Sequence, residues 1–232
     1  WGDRDALQRW QRLIRARPAD VVDGSSALLF TDHSLWQIAI YANLAGIYSA
    51  EPALLQGHQN GGQMEQLGAV ARTLLQLFNA RLTFDTVVVA GSGKVKAADV
   101  DRGYWRLYAD SRYAGYAGSE RPANCVTGSD GKTRAQVVVA LSDVPIVPDI
   151  GWDISHARRL VVALDALREN RQAIEKTYGL TPEQMPDPGL RDAFAAQLAG
   201  RVWNGDKSAP LFRNYWGGTN GWYRVAYDNG TD

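Results

Sequence analysis

Apolar positions fall into helical spacing in the first third and the last third of this chain and lose it in the middle. From Asp3 to Arg17, Leu7, Trp10, Leu13 and Ile14 share one face of a predicted helix that Pro18 stops. A second helix starts at Thr31 or Asp32, both suitable N-caps, and carries Trp36, Ile40, Leu44 and Ile47 at helical intervals, with Pro52 just past its end. After the glycines at 57–62, a third runs from about Gln63 to Ala80 through Leu67, Val70, Leu74, Leu75 and Phe78. Asp153 or Ser155 caps a fourth, with Leu160, Leu164, Leu167, Ile174 and Tyr178, ended by Gly179 at the position after the last helical residue. Met185 to Pro188 reads as a connector and Leu190 to Trp203 as a last helix.

The middle is different. Phe84 to Ala90 is short and β-branched, compatible with a strand or with the end of a helical turn. Tyr104 to Gly118 mixes aromatic and small residues, Gly128 to Lys132 has turn composition, and Ala135 to Leu141 is an apolar run too short to classify. The tail sets Phe212, Tyr215, Trp216, Trp222, Tyr223 and Tyr227 among glycines. Paired helices with long intervening loops predict a mainly α fold of antiparallel helical hairpins, with long aromatic loops, in a single domain over 1–232.

Composition narrows the partners. Lys plus Arg and Asp plus Glu both total 25, so nothing suggests the basic stripe that nucleic-acid binding needs, and no nucleic-acid motif is present. No apolar run reaches the roughly 18 residues of a membrane-spanning helix, so no membrane insertion is expected. Cys125 is the only cysteine, which excludes an internal disulfide and reads as a bystander thiol. A start at Trp1 rather than Met is the pattern of a processed product or of an expressed segment; no signal peptide is visible, though one could have been removed.

Two loops imitate phosphate binders. Gly91-Ser92-Gly93-Lys94 follows a valine run, but the third glycine of a dinucleotide fingerprint would fall on Lys96. Gly131-Lys132-Thr133 resembles the end of a P-loop, but its first glycine would fall on Val126. His33, His58 and His156 have no spacing that enforces a metal, and neither a metal nor a cofactor is expected.

Chemistry concentrates at two similar segments, Asp32-His33-Ser34-Leu35-Trp36 and Asp153-Ile154-Ser155-His156-Ala157-Arg158-Arg159, each at a predicted helix start. The N-terminus of a helix carries unpaired N–H groups and partial positive charge, which favours anions and a neutral imidazole. Asp32 and Asp153 can equally be plain N-caps, and His33 and His156 plain core or capping histidines. Arg158 and Arg159, however, run against the helix dipole, and a local rule broken without structural benefit points to a ligand. Aromatic faces that stack on sugar C–H surfaces, beside polar groups that bond hydroxyls, are supplied by Trp36, Trp152, Asn214, Tyr215, Trp216, Trp222 and Tyr223. Filling a core is the competing role for each of them.

Thr31-Asp32-His33-Ser34-Leu35-Trp36 resembles the Asn-Asn-His-x-x-Trp helix start of alginate-lyase-like (α/α)-barrel proteins. The resemblance covers about six residues and the helical layout. It implies an incomplete (α/α) toroid and makes His33 the base that removes the proton α to a uronate carboxylate. Asn in that family becomes Asp32 here, and an ionised carboxylate would repel a uronate. The tyrosine that would protonate the leaving oxygen stays open among Tyr41, Tyr104, Tyr108, Tyr113, Tyr116 and Tyr215.

The expected function is processing of an acidic, uronate-containing polysaccharide or oligosaccharide by lyase- or epimerase-like proton abstraction, in the periplasm or outside the cell. His33 or His156 would be the base, Arg159 the carboxylate clamp and Arg158 a further substrate contact. Two alternatives stand beside it. One is a glycoside hydrolase using Asp32 and Asp153 as its carboxylate pair; the other is a non-catalytic polysaccharide-binding or scaffold module. The length also fits one part of a larger helical enzyme.

Overall fold

The computed structural model describes residues 4–15, 30–56, 62–100, 116–117, 123–137, 152–219 and 221–222. Helices α1 (Arg4–Arg15), α2 (Asp32–Ala50), α3 (Ala53–Gln56) and α4 (Gly62–Arg81) lead into a hairpin of β1 (Leu82–Val89) and β2 (Gly93–Val100). Two further antiparallel pairs follow: β3 (Tyr116–Ala117) with β6 (Gly221–Trp222), and β4 (Ala123–Thr127) with β5 (Thr133–Val137). Then come α5 (Ile154–Ala157), α6 (Arg159–Glu169), α7 (Arg171–Tyr178) and α8 (Leu190–Gln197). Among the described residues the protein is therefore mainly helical, with small antiparallel sheets.

Both imitations of phosphate loops are hairpin turns. Gly91 and Gly93 take φ of 82° and 74°, the Ser92 N–H donates to the Val89 carbonyl at 3.0 Å, and Val89 pairs with Gly93. Gly131, at φ 74°, turns β4 into β5 in the same way. The run 84–90 is accordingly strand, not the end of a helical turn.

The long helix expected after Asp153 is broken twice. Asp153 is the N-cap of α5, as its residue type suggested, but the chain restarts at Arg159 and again after Asn170. Asn170 accounts for the second break: its Nδ2 donates to the Ala166 carbonyl at 3.0 Å, closing α6, and to Asn43 Oδ1 at 3.2 Å, pinning the junction to α2. Gly46 permits that approach, because a Cβ there would lie 2.0 Å from Asn170 Oδ1. The last predicted helix also changes character, ending in a π-helical turn over Leu198–Val202.

The helix directions follow from the same contacts. Asp32 meets Arg159 and Asn43 meets Asn170, so α2 and α6 run parallel with a constant offset of 127 residues. Phe30, just before α2, stacks on Phe78 near the end of α4 at 5.4 Å, so α4 runs antiparallel to α2. Tyr178 at the end of α7 donates from its hydroxyl to the Tyr41 carbonyl at 2.9 Å.

Leu35, Ile38, Ala42 and Ala45 of α2, Leu74, Leu77 and Phe78 of α4, and Leu160, Ala163 and Leu167 of α6 form the core. Burial of that apolar surface is the main stabilising term. The face of α2 read from sequence is not the buried one: Trp36, Ile40 and Ile47 are exposed. No helix among the described residues is long and apolar enough to cross a membrane.

Candidate functional site

The segment 152–154 is fixed by the segment 214–216. Asp153 and Tyr215 form an antiparallel bridge, the Ile154 N–H donates to the Asn214 carbonyl at 2.8 Å, and the Trp216 N–H donates to the Trp152 carbonyl at 2.6 Å. Gln197, itself buried, holds the Trp216 carbonyl from Nε2 at 2.8 Å. This frame sets the Asp153 carboxylate in the interior, 3% exposed. There it accepts from the His156 amide at 3.1 Å, from the Ser155 hydroxyl and from His156 Nδ1.

The His156 side chain stays 22% exposed while Asp153 is sealed beneath it. A carboxylate on Nδ1 fixes the imidazole tautomer: Nδ1 carries the proton and Nε2 becomes the basic nitrogen. Ser155 lies on the Nδ1 edge, 3.5 Å from that nitrogen, so it is placed to support the pair and not to be activated by Nε2.

The second helix start is joined to the first. Asp32, buried in the first turn of α2, faces Arg159 Nη1 at 3.1 Å, and the Arg159 guanidinium sits over the Trp36 ring, 5.9 Å from its centroid. Asp32 also lies where the helix dipole favours a negative charge. The Ser34 hydroxyl accepts from the Thr31 N–H at 3.2 Å and completes the helix start. Arg159, expected to clamp a substrate carboxylate, thus holds a carboxylate of its own chain. Arg158, the N-cap of α6, is exposed one residue away. His33 is exposed on α2.

The structure sorts the expected sugar-binding residues into three groups. Trp36 and Asn214 are exposed. Trp152, Tyr215 and Trp216 are buried, Trp152 completely, with its ring stacked 6.0 Å from Phe30; their faces are used in packing. Trp222 is described only as backbone in β6, and Tyr223 lies outside the described residues. Among the candidate acids, Tyr104, Tyr108 and Tyr113 lie outside them as well, and burial raises Tyr41 above the usual phenol range. The Asp32 and Asp153 carboxylates of the hydrolase reading are engaged by Arg159 and by the Ser155–His156 donors respectively.

One feature escaped the sequence. A cleft of about 910 Å³ between α1, α4 and the 3₁₀ turn Pro182–Gln184 is lined by Gln8, Gln11, Arg12, Arg15, Gln76 and Asn79, among others. In sequence these residues look like the solvated faces of two amphipathic helices. Only packing, fixed by Arg81 donating from Nη2 to the Leu13 carbonyl at 2.6 Å, turns the two faces into a cleft. No group of three or more metal-ligating side chains occurs among the described residues. Comparison of the chain with protein-family models, with curated proteins and with solved structures finds no match.

Proposed function

We propose that the protein processes an acidic glycan by removing the proton α to a uronate carboxylate, with His156 as the base. The observation that supports this reading most is the buried Asp153 carboxylate on His156 Nδ1, the arrangement that makes the opposite ring nitrogen a proton acceptor. Nε2 takes the proton from C5 of the uronate, and the electron pair passes into the carboxylate-stabilised enolate. The enolate then expels the C4 oxygen, which takes up the proton held on His156 Nε2 as it leaves, so the base is regenerated and the products are an unsaturated uronate and a new chain end. Protonation of C5 from the other face by water, without expulsion, gives the epimer, and the proton on Nε2 returns to the hydroxide formed.

Negative charge grows on the substrate carboxylate in this step, so a cation beside it lowers the barrier. Arg158 takes that role in place of Arg159, because it is two residues from His156, exposed, and not committed to Asp32. The parallel pair α2 and α6, with α4 antiparallel to α2, is the local layout of an (α/α) toroid segment and supports that finer reading of the fold. A location in the bacterial envelope follows from the substrate class.

The test is ultraviolet absorbance of unsaturated uronate during incubation with a panel of uronate polymers. Turnover in the wild type, lowered roughly a hundredfold or more by His156→Ala and by Asp153→Asn, is the expected result. Undiminished turnover in a folded His156→Ala protein removes His156 from the mechanism. The amide- and arginine-lined cleft favours a second reading, a glycan-binding module without turnover, which predicts retained binding and a flat trace.

A further inference from the structure

α1 carries a polar stripe beside its apolar one. Leu7, Trp10 and Leu13 pack on the core, while Gln8, Gln11, Arg12 and Arg15 recur at helical spacing and form one wall of the cleft of about 910 Å³. Gln76 and Asn79 of α4, with Glu183 and Gln184 of the 3₁₀ turn, line the rest. That volume falls in the range of roughly 300–1,000 Å³ that small-molecule sites span. The charges set the cleft apart from the rest of the chain. Arg134, Arg159, Arg168, Arg171, Arg191 and Arg201 each hold a carboxylate of the protein itself. Arg12 and Arg15 hold none among the described residues. Arg72, on the same face of α4 one turn before Gln76, is half-buried, and its Nε makes no hydrogen bond. Guanidiniums without carboxylates therefore gather at this cleft.

We propose that the cleft is a second, non-catalytic binding site for a short uronate oligosaccharide, separate from His156. The choice of a uronate rests on the reading of the His156 site; the cleft and its unpaired cations do not. The carboxamides of Gln8, Gln11, Gln76, Asn79 and Gln184 each donate and accept, as sugar hydroxyls do. Arg12 and Arg15 supply bidentate donors for carboxylates. Glu183 sets a limit on the ligand. The Thr181 hydroxyl holds its carboxyl below the usual carboxylate range, so it is ionised at neutral pH, accepts from hydroxyls and repels a densely charged anion. Ile14 is the one apolar side chain in the lining, and no aromatic ring joins it among the described residues. Carboxylates spaced along hydroxyl-bearing rings satisfy these groups better than a phosphate cluster or a flat aromatic ligand. The position is distinct as well. Phe78, between Gln76 and Asn79 in sequence, points instead into the core, where it stacks on Phe30, and Phe30 stacks on Trp152 next to Asp153. The cleft and the His156 pair thus flank the same end of α4 from opposite sides.

The test is calorimetric titration of the full chain carrying His156→Ala and Arg158→Ala, which disables the other site, with trigalacturonate as the probe. Binding is expected, and adding Arg12→Ala with Arg15→Ala should weaken it about tenfold or more. Both side chains are exposed, so helical circular dichroism should stay unchanged. Neutral galactotriose and tripolyphosphate, which has no hydroxyl-bearing rings, should each bind at least about tenfold more weakly than trigalacturonate. Glu183→Gln should narrow the gap for tripolyphosphate, and an unchanged gap removes Glu183 from the selectivity. No binding of trigalacturonate, binding undiminished by loss of both arginines, or equally tight tripolyphosphate overturns the site. Turnover of uronate polymers by the wild type is read separately. Failure of the cleft leaves the ultraviolet signal intact, whereas failure of the catalytic reading leaves the heat of binding intact.

Discussion

Arg158 and Arg159 are adjacent in sequence and opposite in circumstance. Both looked like ligand contacts because both oppose the helix dipole. Arg159 resolves that conflict through Asp32, a residue 127 positions away and beyond the reach of local pattern, whereas Arg158 does not. The two should separate in mutagenesis. Arg159→Ala should destabilise the fold by roughly 2 kcal/mol in denaturant melts, because it leaves a buried carboxylate without its charged partner. Arg158→Ala should leave the melt unchanged and lower turnover on uronate polymers. Tyr178 makes a prediction of another kind. Burial first, and then the charges that Tyr41 and Tyr48 acquire on ionisation, raise its phenol above the ordinary value of 10.0. The folded state therefore holds that proton more tightly than the unfolded state. Its contribution is fully present below pH 10.0 and is lost as pH rises from there through the higher folded value. Unfolding free energy should fall more steeply above pH 10.0 in the wild type than in Tyr178→Phe, measured in parallel denaturant titrations.

At the level of elements, what could be read from sequence depended on whether the signal was local. The cap at Asp153 (one of two candidates, with Ser155), the Gly179 terminator, the turn at 128–132 and the existence of the longer helices were legible, because caps, turns and periodicity act within a few residues; the short α3 was not foreseen. The run 84–90 was left open between strand and helical turn, since a short β-branched run carries no period of its own, and its partner strand over 93–100 was not foreseen at all. α2 was located correctly, yet its buried face was not. With apolar residues on both sides, spacing alone gives two equally good stripes, and only the positions of α4 and α6 decide which is covered. The break at Asn170 was equally invisible, since it depends on Asn43 and on the absence of a side chain at Gly46. Gly46→Ala should force that junction apart and cost about 1–3 kcal/mol. Thermal melts of the purified variant would measure it, and an unchanged melting temperature would mean that Asn170 is free to move aside.

On the scale of the whole molecule, the candidate site draws on distant stretches of chain. Asp32 comes from the first third, Asp153 and His156 from the middle, and the residues that hold Asp153 in place from 214–216. The sequence named most of these side chains as a chemical class. It did not show which would be exposed: Trp152, Tyr215 and Trp216 entered the core because their backbones form the short ladder that positions the carboxylate. The α1–α4 cleft adds a prediction at this scale. Replacing Arg12 and Arg15 together by Ala should weaken binding of an acidic oligosaccharide about tenfold in calorimetry while leaving the fold intact. The ladder between 152–154 and 214–216 also has a consequence in time. A protein is made from its N-terminus, so Asp153 and His156 emerge from the ribosome some sixty residues before the strand that seats them. During that interval the carboxylate lacks the frame that buries it. The frame that buries the Asp153 carboxylate is therefore completed only after synthesis has passed Trp216.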